Sequence, residues 1–174
     1  VQPGAVKAAR EWKLGWPVVL ASFFGFYSYS IMVSAVSVFM GPLGDEFGWS
    51  RTLLSAGTAI SAVVMALFAP VFGGLIDRFG PRRVALPGLV VCAVGLAAMA
   101  LNTGSALLWC ALWLIYAFGG LCINTPVWAA AVSGAFDRSR GLALAVALAG
   151  ATAAQATVPP LSAWLLETVG WKAG

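Results

Sequence analysis

The charged residues of this 174-residue chain, ten basic and six acidic, fall in five short clumps, with uncharged sequence between them. The clumps lie at 7–13, 45–51, 77–83, 137–140 and 167–172. The intervening runs are 31 residues (14–44), 25 residues (52–76), 53 residues (84–136) and 26 residues (141–166) long. About 20 apolar residues in helical form cross the hydrocarbon core of a bilayer. Three of these runs therefore hold one crossing each, and the longest holds two. Only 9% of the residues are charged and 61% are hydrophobic, whereas a soluble domain carries about 25% charged residues. Such a chain lacks the polar surface to coat a water-facing globule. That excludes a soluble enzyme, a nucleic-acid-binding domain and a disordered tail, and predicts an integral membrane protein.

The spans are expected at about 14–40, 52–76, 83–101, 105–134 and 140–166, a transmembrane bundle over 14–166. Residues 1–13 precede it as a cytoplasmic segment, and 167–174 begin an outer loop. The long run is divided at Asn102-Thr103-Gly104-Ser105, a cluster of turn-forming residues. All five spans should be helical, because hydrocarbon offers backbone groups no partner outside the segment. Strands of a membrane barrel would alternate over about ten residues, and these runs do not. Orientation follows from Lys and Arg. Lys7, Arg10, Lys13, Arg78, Arg82, Arg83, Arg138 and Arg140 fall on one face, and only Arg51 and Lys172 on the other. The positive-inside rule then predicts a cytoplasmic N-terminus in a multi-pass cell-membrane protein, the inner membrane in a bacterium.

Little else in the composition points to chemistry. The chain has no His, and Cys92, Cys110 and Cys122 lie inside apolar runs without metal-ligand spacing; neither a metal nor a cofactor is expected. The net charge of +4 is not arranged as a basic stripe with interleaved aromatics, so no nucleic-acid partner is expected. The expected partners are the bilayer and a small solute. Pro126 and the Pro159-Pro160 pair fall inside spans, where each marks either a packing kink or a bend that moves.

The most informative stretch is Gly73-Gly74-Leu75-Ile76-Asp77-Arg78-Phe79-Gly80-Pro81-Arg82-Arg83. It reads as a helix end, a tight glycine-bearing turn and a basic restart. A carboxylate at a membrane boundary calls for a cation or a helix N-terminus nearby. The stretch resembles the signature loop of the major facilitator superfamily, matching at Gly73, Leu75, Asp77, Arg78, Gly80, Arg82 and Arg83 and lying, as in that family, between the second and third spans. Pro81 departs where the family often has a basic residue. Three more stretches resemble the branch of monocarboxylate and oxalate–formate carriers: Gly41 to Arg51, Arg140 to Leu144, and Pro159-Pro160-Leu161 with Gly170-Trp171-Lys172. The resemblance implies an all-α polytopic fold, five helices of the six-helix amino-terminal half of a twelve-span carrier. The sixth helix and the carboxy-terminal half would then be further partners. It also implies that Asp77 belongs to a cytoplasmic latch. Arg138 and Arg140, at a shared membrane depth, are candidate cations for it.

No span carries an ionisable group near its centre, so this half offers no obvious proton site. The fourth span, where many proton-coupled members of the family carry an Arg, reads Trp113 to Gly120 with no cation. Substrate contact must then come from neutral polar groups. Tyr27, Ser30, Ser34 and Ser37 share one helical face; Tyr116, Gly120, Asn124 and Trp128 follow steps of four; Thr152, Gln155, Pro159 and Ser162 form a third set. Of these, Tyr27, Ser30, Ser34, Tyr116, Asn124, Thr152 and Gln155 are the candidate cavity lining, although hydroxyls of this kind also serve simply to bond a preceding turn or a neighbouring helix. Gly141, Ala145, Ala149, Ala153 and Thr157 form a small-residue ridge, for packing or as a sliding seam. The expected function is secondary transport of a small solute, an organic anion such as a monocarboxylate, without enzymatic chemistry. A carrier of drugs or sugars, or a membrane scaffold or sensor, is the alternative.

Overall fold

The computed structural model describes residues 3–99 and 101–169. The motif residues Gly170, Trp171 and Lys172, and the loop expected beyond 169, lie outside the described residues. The regular elements among the described residues are all helices: α1 (Pro3–Phe47), α2 (Arg51–Phe79), α3 (Pro81–Met99), α4 (Ala106–Ile123), α5 (Thr125–Ala135) and α6 (Arg140–Val169). Taking α4 and α5 as one crossing, five helical units are long and apolar enough to span a bilayer. The described residues of the segment ahead of Leu14 are not a separate coil but the first turns of α1, whose 45 residues would reach about 68 Å at 1.5 Å per residue.

Each junction is closed by local chemistry. Ser50 caps α2 by accepting the amide hydrogen of Leu53 at 3.2 Å. Gly80 alone joins α2 to α3; its φ of 81° is left-handed and its N–H donates to the Ile76 carbonyl at 2.8 Å, an arrangement that glycine adopts without Cβ strain. Pro81 then opens α3, where its missing N–H costs nothing. The Asn102 side chain accepts from the amides of Gly104 and Ser105 at 3.0 and 3.2 Å, and Ser105 caps α4 through Leu108 at 3.3 Å. The predicted turn at 102–105 is therefore built by the Asn carbonyl and the Ser hydroxyl.

The expected fourth span is broken at Asn124, whose extended backbone (φ −68°, ψ 166°) ends α4 and caps α5. Pro126 lies in the first turn of α5 and so needs no hydrogen-bond partner. The interruption comes before the proline, and its cause is the Asn–Thr–Pro sequence rather than a bend centred on the ring.

Packing is led by α1 against α6, with α3 and α2 both against α4. Aromatic rings sit on glycines. A Cβ at Gly57 would overlap the Trp113 indole, one at Gly25 the Trp128 indole, and one at Gly150 the backbone of Phe23. With no hydrophobic gain available between lipid-facing helices, such close contact is the main source of association. A ladder of rings runs from the first loop down α4: Trp49 to Trp109 at 5.6 Å, Trp109 to Trp113 at 5.9 Å and Trp113 to Tyr116 at 5.9 Å. The outer surfaces are apolar, with Leu67, Leu86, Val94 and Leu107 all more than half exposed. α3 combines the two environments: Gly88, Cys92 and Gly95 are buried, while Leu86, Val90 and Val94 face out.

One expectation is corrected. The α6 face buried in the bundle carries Ala143, Ala147, Gly150, Ala154 and Val158, not the ridge of Gly141, Ala145, Ala149, Ala153 and Thr157, which is largely exposed. Nearly every position on this helix is small, so spacing alone did not distinguish the two stripes. Substitution tests the assignment. Gly150→Leu should lower the melting temperature in detergent by an amount equivalent to about 1–3 kcal/mol or more, while Gly141→Ala, which has nothing within 4 Å of the added carbon, should leave it unchanged.

Candidate functional site

Two polar regions merit description, the α2–α3 hairpin and the hydroxyl-bearing flanks of α1, α4 and α6. In the hairpin, Asp77, Arg78, Arg82 and Arg83 are exposed, as is Leu75, with Gly73 and Gly80 half-buried. The Arg78 guanidinium lies 5.5 Å from the centre of the Phe79 ring. Asp77 stands in the last turn of α2, where carbonyls point outward and the helix dipole disfavours a negative charge. Among the described residues it has no hydrogen-bond or ion-pair partner. The structure does not pair Arg138 or Arg140 with it; Arg138, on the α5–α6 connection, and Arg140, the first residue of α6, are both exposed.

A different carboxylate meets that connection. Glu11 of α1 accepts the amide hydrogens of Arg138 at 3.2 Å and Ser139 at 3.1 Å, the two residues just before α6. These donors belong to a helix start, where a negative side chain is favoured. Glu11 lies ahead of the apolar run that begins at Leu14, and the amides of Arg138 and then Ser139 hold its carboxyl below the usual carboxylate range. Beside it the Trp12 and Phe136 rings meet edge-on with centres 5.2 Å apart. Glu11 was not singled out in the sequence. Its only signal there was a lone acid in a basic clump.

The seven candidate lining residues separate into four groups. Tyr27 and Thr157 share a hydrogen bond of 2.9 Å between α1 and α6. Thr157 gives its own proton to the Ala153 carbonyl at 2.7 Å, so Tyr27 is the donor. Thr152 and Gln155, also on α6, are exposed and without a side-chain partner among the described residues. Ser30 and Ser34 are buried in the bundle, and the Ser34 hydroxyl has no partner among the described residues. Tyr116 and Asn124 join a cluster that also contains Tyr29 and Met65. The Met65 sulfur receives the Asn124 amide at 3.2 Å and the Tyr29 hydroxyl at 3.6 Å, while the Tyr116 hydroxyl donates to the Tyr29 carbonyl at 3.4 Å. Trp128 leaves this face, because the break at Asn124 rotates α5. Its indole N–H donates to the Ile123 carbonyl at 2.8 Å. Met65 gives no polar signal in sequence because its sulfur is a thioether, and Tyr29 lies off the helical face shared by Tyr27, Ser30 and Ser34.

The fold is that of a polytopic helical membrane protein, with a glycine-bearing basic hairpin between its second and third helices. Residues 18–174 match the family model described as Major Facilitator Superfamily, and the chain belongs to that superfamily. It is 28% identical over 159 residues to "Monocarboxylate transporter 2" of Rattus norvegicus, covering 91% of this chain and 32% of the relative. It is 28% identical over 158 residues to "Monocarboxylate transporter 13" of Bos taurus, covering 91% and 37%. Over 159 residues it is 30% identical to "Monocarboxylate transporter 11" of Homo sapiens, covering 91% and 33%. The chain thus spans about a third of the length of the curated relatives it matches.

The Glu11 contact yields a prediction with a definite sign. A carboxyl whose folded-state pKa is lowered contributes stability above its unfolded pKa and loses it as pH falls through the folded value. Glu11→Gln should lower the melting temperature at neutral pH, and the gap to the parent protein should close on acidification below the carboxylate range. An unchanged gap across that range would show that the contact contributes through packing rather than charge.

Proposed function

We propose that this chain is the amino-terminal part of a carrier that moves a small organic anion, such as a monocarboxylate, by alternating access and without covalent chemistry. The observation that carries the reading is similarity along 91% of the chain to relatives named as monocarboxylate transporters. Substrate and coupling-ion sites of such carriers lie near the midplane between two halves. On this half the groups proposed to face that space are the Tyr27–Thr157 pair with Thr152 and Gln155, which bond a solute without fixing its charge. The cluster of Tyr29, Met65, Tyr116 and Asn124 holds the break in the fourth span. Because the centres of these spans hold no cation, the positive group that balances an anion belongs to the other half or to the ends.

Asp77, unpaired among the described residues and set against its own helix dipole, supports a latch whose cation or helix N-terminus lies outside those residues. The excess of Lys and Arg at the hairpin end supports a cytoplasmic N-terminus, in the plasma membrane or a bacterial inner membrane.

Uptake of labelled lactate and pyruvate into proteoliposomes holding the carrier with both halves tests the reading. Saturable uptake of a carboxylate is expected, and it should fall roughly 5-fold or more in Asp77→Asn, the scale of a 1–3 kcal/mol bias between states. Transport of neutral sugars or cationic drugs in place of every carboxylate would overturn the substrate assignment.

A further inference from the structure

At the centre of the bundle, hydrogen-bond donors from two different elements converge on one atom. The Tyr29 hydroxyl of α1 and the Asn124 amide at the α4–α5 break both donate to the Met65 sulfur of α2, at 3.6 and 3.2 Å. All three residues are half-buried. Tyr29 is the middle residue of the uncharged run 14–44, and Met65 follows the middle of 52–76. The cluster therefore sits at the bilayer midplane, the depth at which carriers built from such helices hold their solutes. It lies over Gly120 of α4, where a Cβ would stand 3.1 Å from the Met65 methyl and 3.8 Å from the Tyr29 ring.

A thioether is a poor match for these donors. Its sulfur is a weak acceptor, and the unbranched Met side chain, with three rotatable bonds, repacks at small cost. The donors themselves are held in place. Tyr116 donates to the Tyr29 carbonyl at 3.4 Å, and Asn124 Oδ1 accepts the Thr125 amide hydrogen at 2.7 Å. The first three residues of α5 add no free backbone donor at the break. The Thr125 N–H serves the Asn124 side chain, Pro126 has none, and Val127 donates to the Asn124 carbonyl at 3.0 Å. An acceptor drawn to the break thus meets the Tyr29 and Asn124 side chains. A carboxylate suits them far better than sulfur does, because hydrogen bonds to an ionised group are roughly twice as strong as neutral ones. The positive end of the α5 dipole begins at the same residue and favours a negative charge there.

We propose that Met65 is a displaceable placeholder in a carboxylate site. The carboxylate of a small solute takes the sulfur's position, accepts hydrogen bonds from the Tyr29 hydroxyl and Asn124 Nδ2, and turns the Met65 side chain away from Gly120. The exchange keeps both donors paired in the loaded and the unloaded carrier, which removes the cost of leaving them unmade when the solute departs. A neutral solute gains no charge-assisted bond and displaces the sulfur less readily. The site rests on the carboxylate reading above and adds to it the atoms that meet the anion on this half; the balancing cation stays elsewhere.

The kinetics of labelled lactate uptake, by the carrier with both halves in proteoliposomes, test the site. Tyr29→Phe keeps the ring and removes one donor. Its KM for lactate should rise roughly 10-fold with kcat little changed, the scale of one hydrogen bond to a charged group. Met65→Leu keeps the volume and removes the competing acceptor, so KM should fall roughly 3-fold or more. In the double variant that gain should shrink, because one of the two donors held by the sulfur is gone. Each single variant decides independently of the other, so misfolding of one leaves the test intact. An unchanged KM in Tyr29→Phe, or a KM that rises in Met65→Leu as it would for a purely structural fastener, would overturn the site, while lactate uptake by the parent would leave the substrate reading standing. Absence of carboxylate uptake by the parent would overturn both.

Discussion

Hydrocarbon provides no hydrogen-bond partner for a backbone, and this constraint governs the whole chain. Every apolar run becomes helix, and every place where the helix stops must satisfy its loose amides by other means. The chain does so with a serine at the start of α2 and of α4, an asparagine side chain in the turn between α3 and α4, and a single glycine between α2 and α3. The start of α6 is served across space by Glu11. The termini are thus fastened at the membrane boundaries, where the charges also collect.

Given helices, association needs shape. The glycines under Trp113 and Trp128 and the one facing the backbone of Phe23 let neighbours come closer than any side chain would allow. In lipid this contact is the available stabilisation, since tails are as apolar as leucine. It also explains the unequal surfaces of α6. The stripe through Ala147, Gly150 and Ala154 is spent on α1, which leaves the stripe through Ala145 and Ala149 open.

The helices were legible in the sequence because charge clumps and a hydrocarbon thickness leave few ways to place them. The 102–105 turn was legible because Asn, Gly and Ser each have a known local use. The packed stripe of α6 was not, since alanine at almost every position erases the periodicity that marks a buried face. The hairpin around Asp77 stood out through residue types rather than contacts. Partnership was hidden: Glu11 meets residues 127 and 128 positions away, and the acceptor that gathers Tyr29 and Asn124 is a methionine. Long-range pairing of this kind has no signature in a single sequence. Ser30 and Ser34 share a helical face with Tyr27, yet packing buries both serines while Tyr27 reaches α6.

Five helical units are long and apolar enough to cross the bilayer, with α4 and α5 together forming one of them. The most direct test of these crossings places single cysteines at the exposed positions Asp45, Arg82, Thr103 and Asp137 in a background without the three native cysteines, and treats intact cells with a membrane-impermeant maleimide. Labelling at Asp45 and Thr103 with protection at Arg82 and Asp137 is the predicted result. Labelling of Thr103 and Asp137 alike would contradict it, because the α4–α5 unit would then return to the side from which it entered.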